Sequence, residues 1–111
     1  MAIQAGQIYL SKHAALGKSK YARPCLVMRV DSVGAVVVYF STKFDLIEPG
    51  NFPIYDTDEG FKETGLKESS YLVCNHGVPV KMHFFDGAKL LGNLTGELRR
   101  RVEEWWGEPF K

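Results

Sequence analysis

The sequence predicts a mainly β protein: a small, strongly curved barrel of five to seven strands with a helix at its C-terminal end. Three observations carry this. Two apolar runs rich in β-branched residues, Leu26–Val30 and Ala35–Phe40, flank the polar, Gly-ended stretch Asp31-Ser32-Val33-Gly34. Other short apolar stretches recur along the chain, separated by Gly and Pro breaks. Only the last segment, Thr95 to Trp106, repeats with helical spacing.

The 111 residues fit one domain spanning 1–111, long enough to bury a core without disulfides or a metal. Hydrophobic content of 45% and aromatic content of 13% suit a globular protein rather than a disordered or fibrous one. No apolar run reaches the roughly 20 residues that span a bilayer, and the start, MAIQAGQIYL, lacks the pattern of a secretory signal. Cys25 and Cys74 stand 49 residues apart inside apolar runs and read as buried, reduced thiols. The cytoplasm is the expected compartment, with no membrane partner.

Taken in order, Gly6 to Leu10 reads as a first strand. Ser11 to Ala22 is broken and holds Lys12, His13, Gly17, Lys18 and Lys20, so it reads as a mobile basic loop. The hairpin follows, and a turn centred on Ser32-Val33 makes cross-strand partners sum to about 65. That register sets Arg23 near Thr42 and Pro24 near Ser41. Phe52 to Tyr55 reads as a short edge strand behind the Pro49-Gly50 break. Asp56 to Gly65 is an acidic loop or a single helical turn. Ser69 to Cys74 is a strand, and Val80 to Phe84 alternates as a half-buried strand with Lys81 and His83 facing solvent. In the helix, Thr95 is the expected N-cap, and Leu98, Val102, Trp105 and Trp106 form the apolar stripe. Gly107 and Pro109 stop it. The two tryptophans read as core or dimer anchors, and Arg99, Arg100, Arg101, Glu103 and Glu104 as the wet face.

Net charge is only +1, which argues against a protein that coats DNA. Its distribution is uneven. Residues 1–30 carry Lys12, Lys18, Lys20, Arg23 and Arg29 with no acid, while 45–68 carry seven acids against two lysines. One edge should therefore attract polyanions and another repel them. At the open end of the hairpin, Arg23 offers a planar fork of donors beside the Ser41 and Thr42 hydroxyls, a set suited to phosphate. The same residues also fit an arginine at a strand end beside two ordinary β-formers.

Several chemistries have no support. There is no Walker A or GxGxxG pattern, no zinc spacing among His13, His76 and His83, and no GxSxG elbow. No cofactor and no metal are expected. What remains suits phosphodiester cleavage in RNA, where the 2′-hydroxyl is the nucleophile. A base must take its proton, an acid must serve the 5′-oxygen, and donors must meet charge growing on phosphorus. His76, in VCNHGV after a strand, has the pKa range for such a role, or is a loop histidine.

Three stretches stand in order along the first half of the chain: Gly6-Gln7-Ile8-Tyr9, Arg23-Pro24-Cys25-Leu26-Val27 and Val36-Val37-Val38-Tyr39-Phe40-Ser41-Thr42. Gly65-Leu66 with Ser69-Ser70, Val73-Cys74-Asn75-His76, and the tail from Leu91-Gly92 through Leu98–Trp106 follow them. In these residues the sequence resembles the PemK/MazF family of toxins from bacterial toxin–antitoxin pairs. The resemblance implies an SH3-like barrel, a homodimer, and a metal-independent endoribonuclease that cuts single-stranded RNA at short sequences. Its products would carry 2′,3′-cyclic phosphate and 5′-hydroxyl ends. A cognate antitoxin would lay an extended segment in the RNA groove. On this reading Arg23 acts on the scissile phosphate, Ser41 stands at the catalytic hydroxyl with Thr42 beside it, and His13 occupies a loop where some members carry a functional histidine. The expected catalytic set is Arg23, Ser41, Thr42 and His76; Lys12, His13, Lys18, Lys20 and Asn75 are expected to contact RNA. Two departures stand out. Val73 and Asn75 replace an Arg and an Asp that could titrate, and His76 replaces a Gln. The turn at Asp31–Gly34 is also short. Two other readings stay open on the same barrel: a gyrase poison of the CcdB type relying on Trp105 and Trp106, and a degenerate relative that binds RNA or a partner without cutting.

Overall fold

A computed structural model describes residues 2–11, 23–73 and 77–110. It is mainly β, as expected: seven antiparallel strands curl into a half-barrel with one C-terminal helix. The strands are β1 (Gln7–Ser11), β2 (Arg23–Val30), β3 (Gly34–Ser41), β4 (Phe52–Ile54), β5 (Ser70–Leu72), β6 (Val78–Lys81) and β7 (Lys89–Asn93). The helix α1 spans Gly96–Trp106. Among the described residues no helix is long and apolar enough to cross a membrane.

The sheet runs β4-β5-β3-β2-β1-β7, and β6 joins the free edge of β3. Along that one edge β3 is shared: Gly34 to Val37 pair with β6, and Phe40 and Ser41 pair with β5. A strand pairing two partners in succession on one edge must bend, and this bend curls the sheet. Both faces of β3 are buried. Val36, Val38 and Phe40 pack with Leu98 and Val102 of α1, and Ala35 and Val37 pack with Val80 and Phe84 on the other side. This explains a run with almost no polar residue, since a strand covered on both sides has no wet face to mark.

The hairpin turn forms where expected. The Asp31 carboxylate accepts the Val33 and Gly34 N–H groups at 3.0 and 2.8 Å, an Asx turn that closes the loop. The register, however, differs from a uniform hairpin. Partner numbers sum to 65 beside the turn (Val30↔Ala35, Arg29↔Val36) but to 64 beyond it (Val27↔Val37, Cys25↔Tyr39). A bulge at Met28 absorbs one residue. Continued to the start of β2, this register sets Arg23 level with Ser41, not Thr42.

One further strand expectation is corrected. The stretch expected to be one strand from Val80 to Phe84 divides: β6 ends at Lys81 and a 3₁₀ turn takes Met82–Phe85. The turn puts Phe84 into the core while His83 stays exposed. β7 carries no alternation and is unmarked by periodicity; it is held by pairing with β1. The acidic stretch does end in one helical turn, Lys62–Thr64. Thr95 takes the extended N-cap conformation but makes no side-chain capping bond.

The curled sheet is also held by one close backbone contact outside its ladders. Backbone at 63–65 lies directly against backbone at 91–92, because two glycines leave room. A Cβ on Gly65 would fall 2.1 Å from the Leu91 carbonyl oxygen, and one on Gly92 would fall 2.1 Å from the Glu63 carbonyl oxygen. Gly65 also has φ +74°. Gly65→Ala should therefore destabilise more than Gly50→Ala, which has φ +95° but open space around it. The shared positive φ costs about 1–2 kcal/mol in each; the backbone clash should add about 1–2 kcal/mol to the first alone. Urea midpoints with matched slopes would show the difference, and equal midpoints would remove the glycine contact as a support of the sheet.

Candidate functional site

Arg23 opens β2, half-buried, with its guanidinium carbon 4.9 Å from the centre of the Tyr39 ring. Cys25 pairs with Tyr39, so Arg23, two residues earlier on the same face, leans over that ring. The ion pairs among the described residues belong to Arg100, bonded to Glu97 and Glu104. Among those residues Arg23 thus carries a positive charge with a ring beneath it and no carboxylate beside it.

Ser41 ends β3, level with Arg23 on the same face. Its Oγ accepts the Lys43 N–H at 3.2 Å, which orients the hydroxyl and leaves its proton for donation. Across the sheet the same row continues on both sides. Ser11 pairs with Arg23, Tyr71 pairs with Ser41, and Pro53 pairs with Tyr71. Within the row Ser11 and Tyr71 are buried, the Tyr71 hydroxyl donating to the Lys43 carbonyl at 3.0 Å, while Arg23 and Ser41 are half-buried.

Thr42 does not complete a three-donor corner. It lines a pocket of about 370 Å³ with Leu10, Pro24, Leu66, Ser70 and Leu91. The bulge at Met28 and the alternation of β2 account for this. Arg23 and Ser41 share one face, while Pro24 turns the other way, towards the pocket with Thr42. The pocket adjoins the Arg23 row through Pro24 but is a separate surface.

Of the other expected residues, Lys12, His13, Lys18, Lys20, Asn75 and His76 lie outside the described residues, as does Cys74. The chain on either side of 74–76 is anchored beside the row. The Val73 N–H donates to the Tyr39 carbonyl at 3.1 Å, and Asn51 Nδ2 donates to the Val73 carbonyl. Gly77, at φ +71°, fits under Trp106 and Val36, where a Cβ would lie 3.0 Å and 2.4 Å from their side chains. Tyr39 therefore holds Arg23 with its ring and the start of the Asn75-His76 segment with its carbonyl. That double role was missed in the sequence, where Tyr39 reads as one more β-former.

Arg29, near the turn, is six residues along the strand and does not join the site. Trp105 packs on Phe52, with ring centres 5.7 Å apart, and donates Nε1–H to the Gly50 carbonyl at 2.7 Å. Both tryptophans pack against the core, as core anchors would. Arg99 and Arg101 lie over Phe110 and Phe52, so the helix arginines are engaged with rings or acids. Among the described residues no three His, Cys, Asp or Glu side chains converge in a way that could hold a metal.

No protein-family model matches the chain, and no curated protein matches it.

Cys25, fully buried next to Arg23 on the shared face, has its thiol pushed up to about 12 by burial. The thiol is raised above its ordinary 9.0, so the native state holds its proton where the unfolded chain has lost it. Stability from this residue is intact below pH 9 and falls as pH rises towards 12, by up to about 1.4 kcal/mol per pH unit. Urea unfolding between pH 8.5 and 10.5, as ~unit steps, should show a steeper decline for the native sequence than for Cys25→Ala. Identical slopes would mean the thiol is not protonated by burial.

Proposed function

We propose that this protein is a metal-independent endoribonuclease of the PemK/MazF type, cutting single-stranded RNA to leave 2′,3′-cyclic phosphate and 5′-hydroxyl ends. The observation that carries the reading is Arg23, without a carboxylate partner among the described residues, held over Tyr39 and level with the Ser41 hydroxyl. An arginine in this setting is a donor fork waiting for an anion. A partnered arginine would have to lose its partner first.

In this reading the scissile phosphate lies across Arg23 and Ser41. Arg23 donates to the non-bridging oxygens as negative charge grows on them, and the Ser41 O–H adds a neutral donor. Thr42 binds from the pocket side rather than sharing the same oxygens. The proton from the 2′-hydroxyl and the proton for the leaving 5′-oxygen pass through His76 or His13. Asn75 holds RNA by hydrogen bonds and moves no proton, since its amide does not titrate. Lys12, Lys18 and Lys20 draw the polyanion towards this edge. The homodimer, the antitoxin that would occupy the RNA groove, and the cytoplasmic setting belong to the same proposal. It is supported by the sequence resemblance, by the curved barrel that the resemblance implies, and by the anchoring of Val73 to Tyr39.

The test is purified protein with a long single-stranded RNA in excess EDTA, beside Arg23→Ala and Arg23→Lys. Discrete cuts with cyclic-phosphate ends are expected. Arg23→Ala should cut about two orders of magnitude more slowly, the loss of one donor to a developing oxyanion, ~3 kcal/mol. Arg23→Lys should recover little, because an ammonium cannot reproduce the fork. Circular dichroism and urea midpoints should be close to those of the parent, since Arg23 is only half-buried. RNA left intact by the folded parent protein would overturn the reading.

A further inference from the structure

Beyond the phosphate site, the Arg23 row leads to an aromatic surface. Tyr71, level with Ser41, meets Phe44 edge-on with ring centres 5.3 Å apart. Phe44 in turn stacks nearly parallel on Tyr55, 5.9 Å apart and 20° between planes. Tyr55 is 48% exposed. A single exposed tyrosine is ordinary. This one ends a chain of side-chain contacts that begins at a cation, passes a hydroxyl and, across the buried Tyr71, becomes aromatic. The ladder carries this path from Arg23 on β2 through Ser41 on β3 to Tyr71 on β5; from there it continues over Phe44, in the 3₁₀ turn Phe44–Leu46, to Tyr55, just past the end of β4.

We propose that Tyr55, backed by Phe44, is a stacking platform for a nucleobase of the single-stranded RNA whose phosphate lies at Arg23 and Ser41. The inference rests on the endoribonuclease reading and adds to it how the strand beyond the cut is held. Rigid backing fits stacking, because a ring already fixed in plane loses little entropy when a base lands on it. Charge selects the base rather than the phosphate. Asp45 follows Phe44 and Asp56 follows Tyr55 in the sequence, and the Asp58 carboxylate accepts the Tyr55 backbone N–H at 2.8 Å. A phosphate would be repelled there, so the backbone passes on the Lys43 side and presents its base to the ring.

The test uses the full chain and fluorescence anisotropy. One probe is a mixed-sequence single-stranded oligodeoxynucleotide, which lacks the 2′-hydroxyl and so survives under the reading; the other is an abasic strand of equal length. Tyr55→Ala should bind the first probe about tenfold more weakly, ~1.4 kcal/mol and within the range of one base stack. Tyr55→Trp should bind at least as well as the parent, and Leu46→Ser, nearby and also exposed, should not change affinity. None of these should matter on the abasic probe, whereas Arg23→Ala should weaken both. Unchanged binding in Tyr55→Ala with loss in Arg23→Ala would overturn the platform and leave the nuclease reading standing. Equal losses on both probes, or equal losses in Leu46→Ser, would also overturn stacking. Affinity untouched by Arg23→Ala, or no binding by the parent, would overturn the reading itself and the platform with it.

Discussion

The double pairing of β3 is the constraint on which the rest depends. One strand edge serves β6 with its first half and β5 with its second, and both faces of the strand are buried. Nothing in this arrangement can slide. A shift of one residue would turn Val36, Val38 and Phe40 away from α1 and would bring them against Val80 and Phe84. The register correction must therefore fall on β2, where the bulge at Met28 takes it up. That bulge decides which side Arg23 faces. The candidate site is in this sense a consequence of core packing on β3, the strand next to the one that carries Arg23.

Much of this fold is written locally. The hairpin turn is legible because Asp31 can bond its own downstream backbone, and the helix is legible because Leu98 and Val102 repeat at its period. Edge strand β4 is legible because Pro53 limits where it can pair. What escaped depends on distant partners. The bulge at Met28 answers to the packing of β3, and no residue in Leu26–Val30 marks it. β7 is fixed by pairing with β1 and by the glycine contact at Gly65 and Gly92, which joins segments far apart in sequence. The alternation at Val80–Phe84 is real in the sequence, but the 3₁₀ turn has a period of three, so Val80 and Phe84 are buried while Met82 between them is exposed. At the site, Arg23 and Ser41 were recognisable by residue type and strand-end position. Their separation from Thr42 was not, because one residue of register exchanges faces.

The Arg23 face also has an electrostatic economy of its own. Below the guanidinium lies a ring, not a carboxylate, and next to it lies a thiol kept neutral by burial. A thiolate at Cys25 would have competed for the arginine; a protonated thiol does not. A cation–π contact attracts without neutralising, so the positive field of Arg23 still reaches outward. An ion pair such as that of Arg100 would have cancelled it.

Direction follows from the same row. From Arg23 through Ser41, and across the buried Tyr71 to Phe44 and Tyr55, the side chains pass from charged and hydrogen-bonding to aromatic, and the sequence turns acidic beyond. A uniform polyanion would gain only at the first end. A short, neutral apolar peptide would gain only at the second. A chain that alternates charged links with flat, neutral bases can gain at both, provided it lies across the strands rather than along them. On the proposed reading it is this order of side chains, rather than any single residue, that suits a single-stranded nucleic acid, and the order is set by the antiparallel register up to Tyr71 and by ring contacts beyond it.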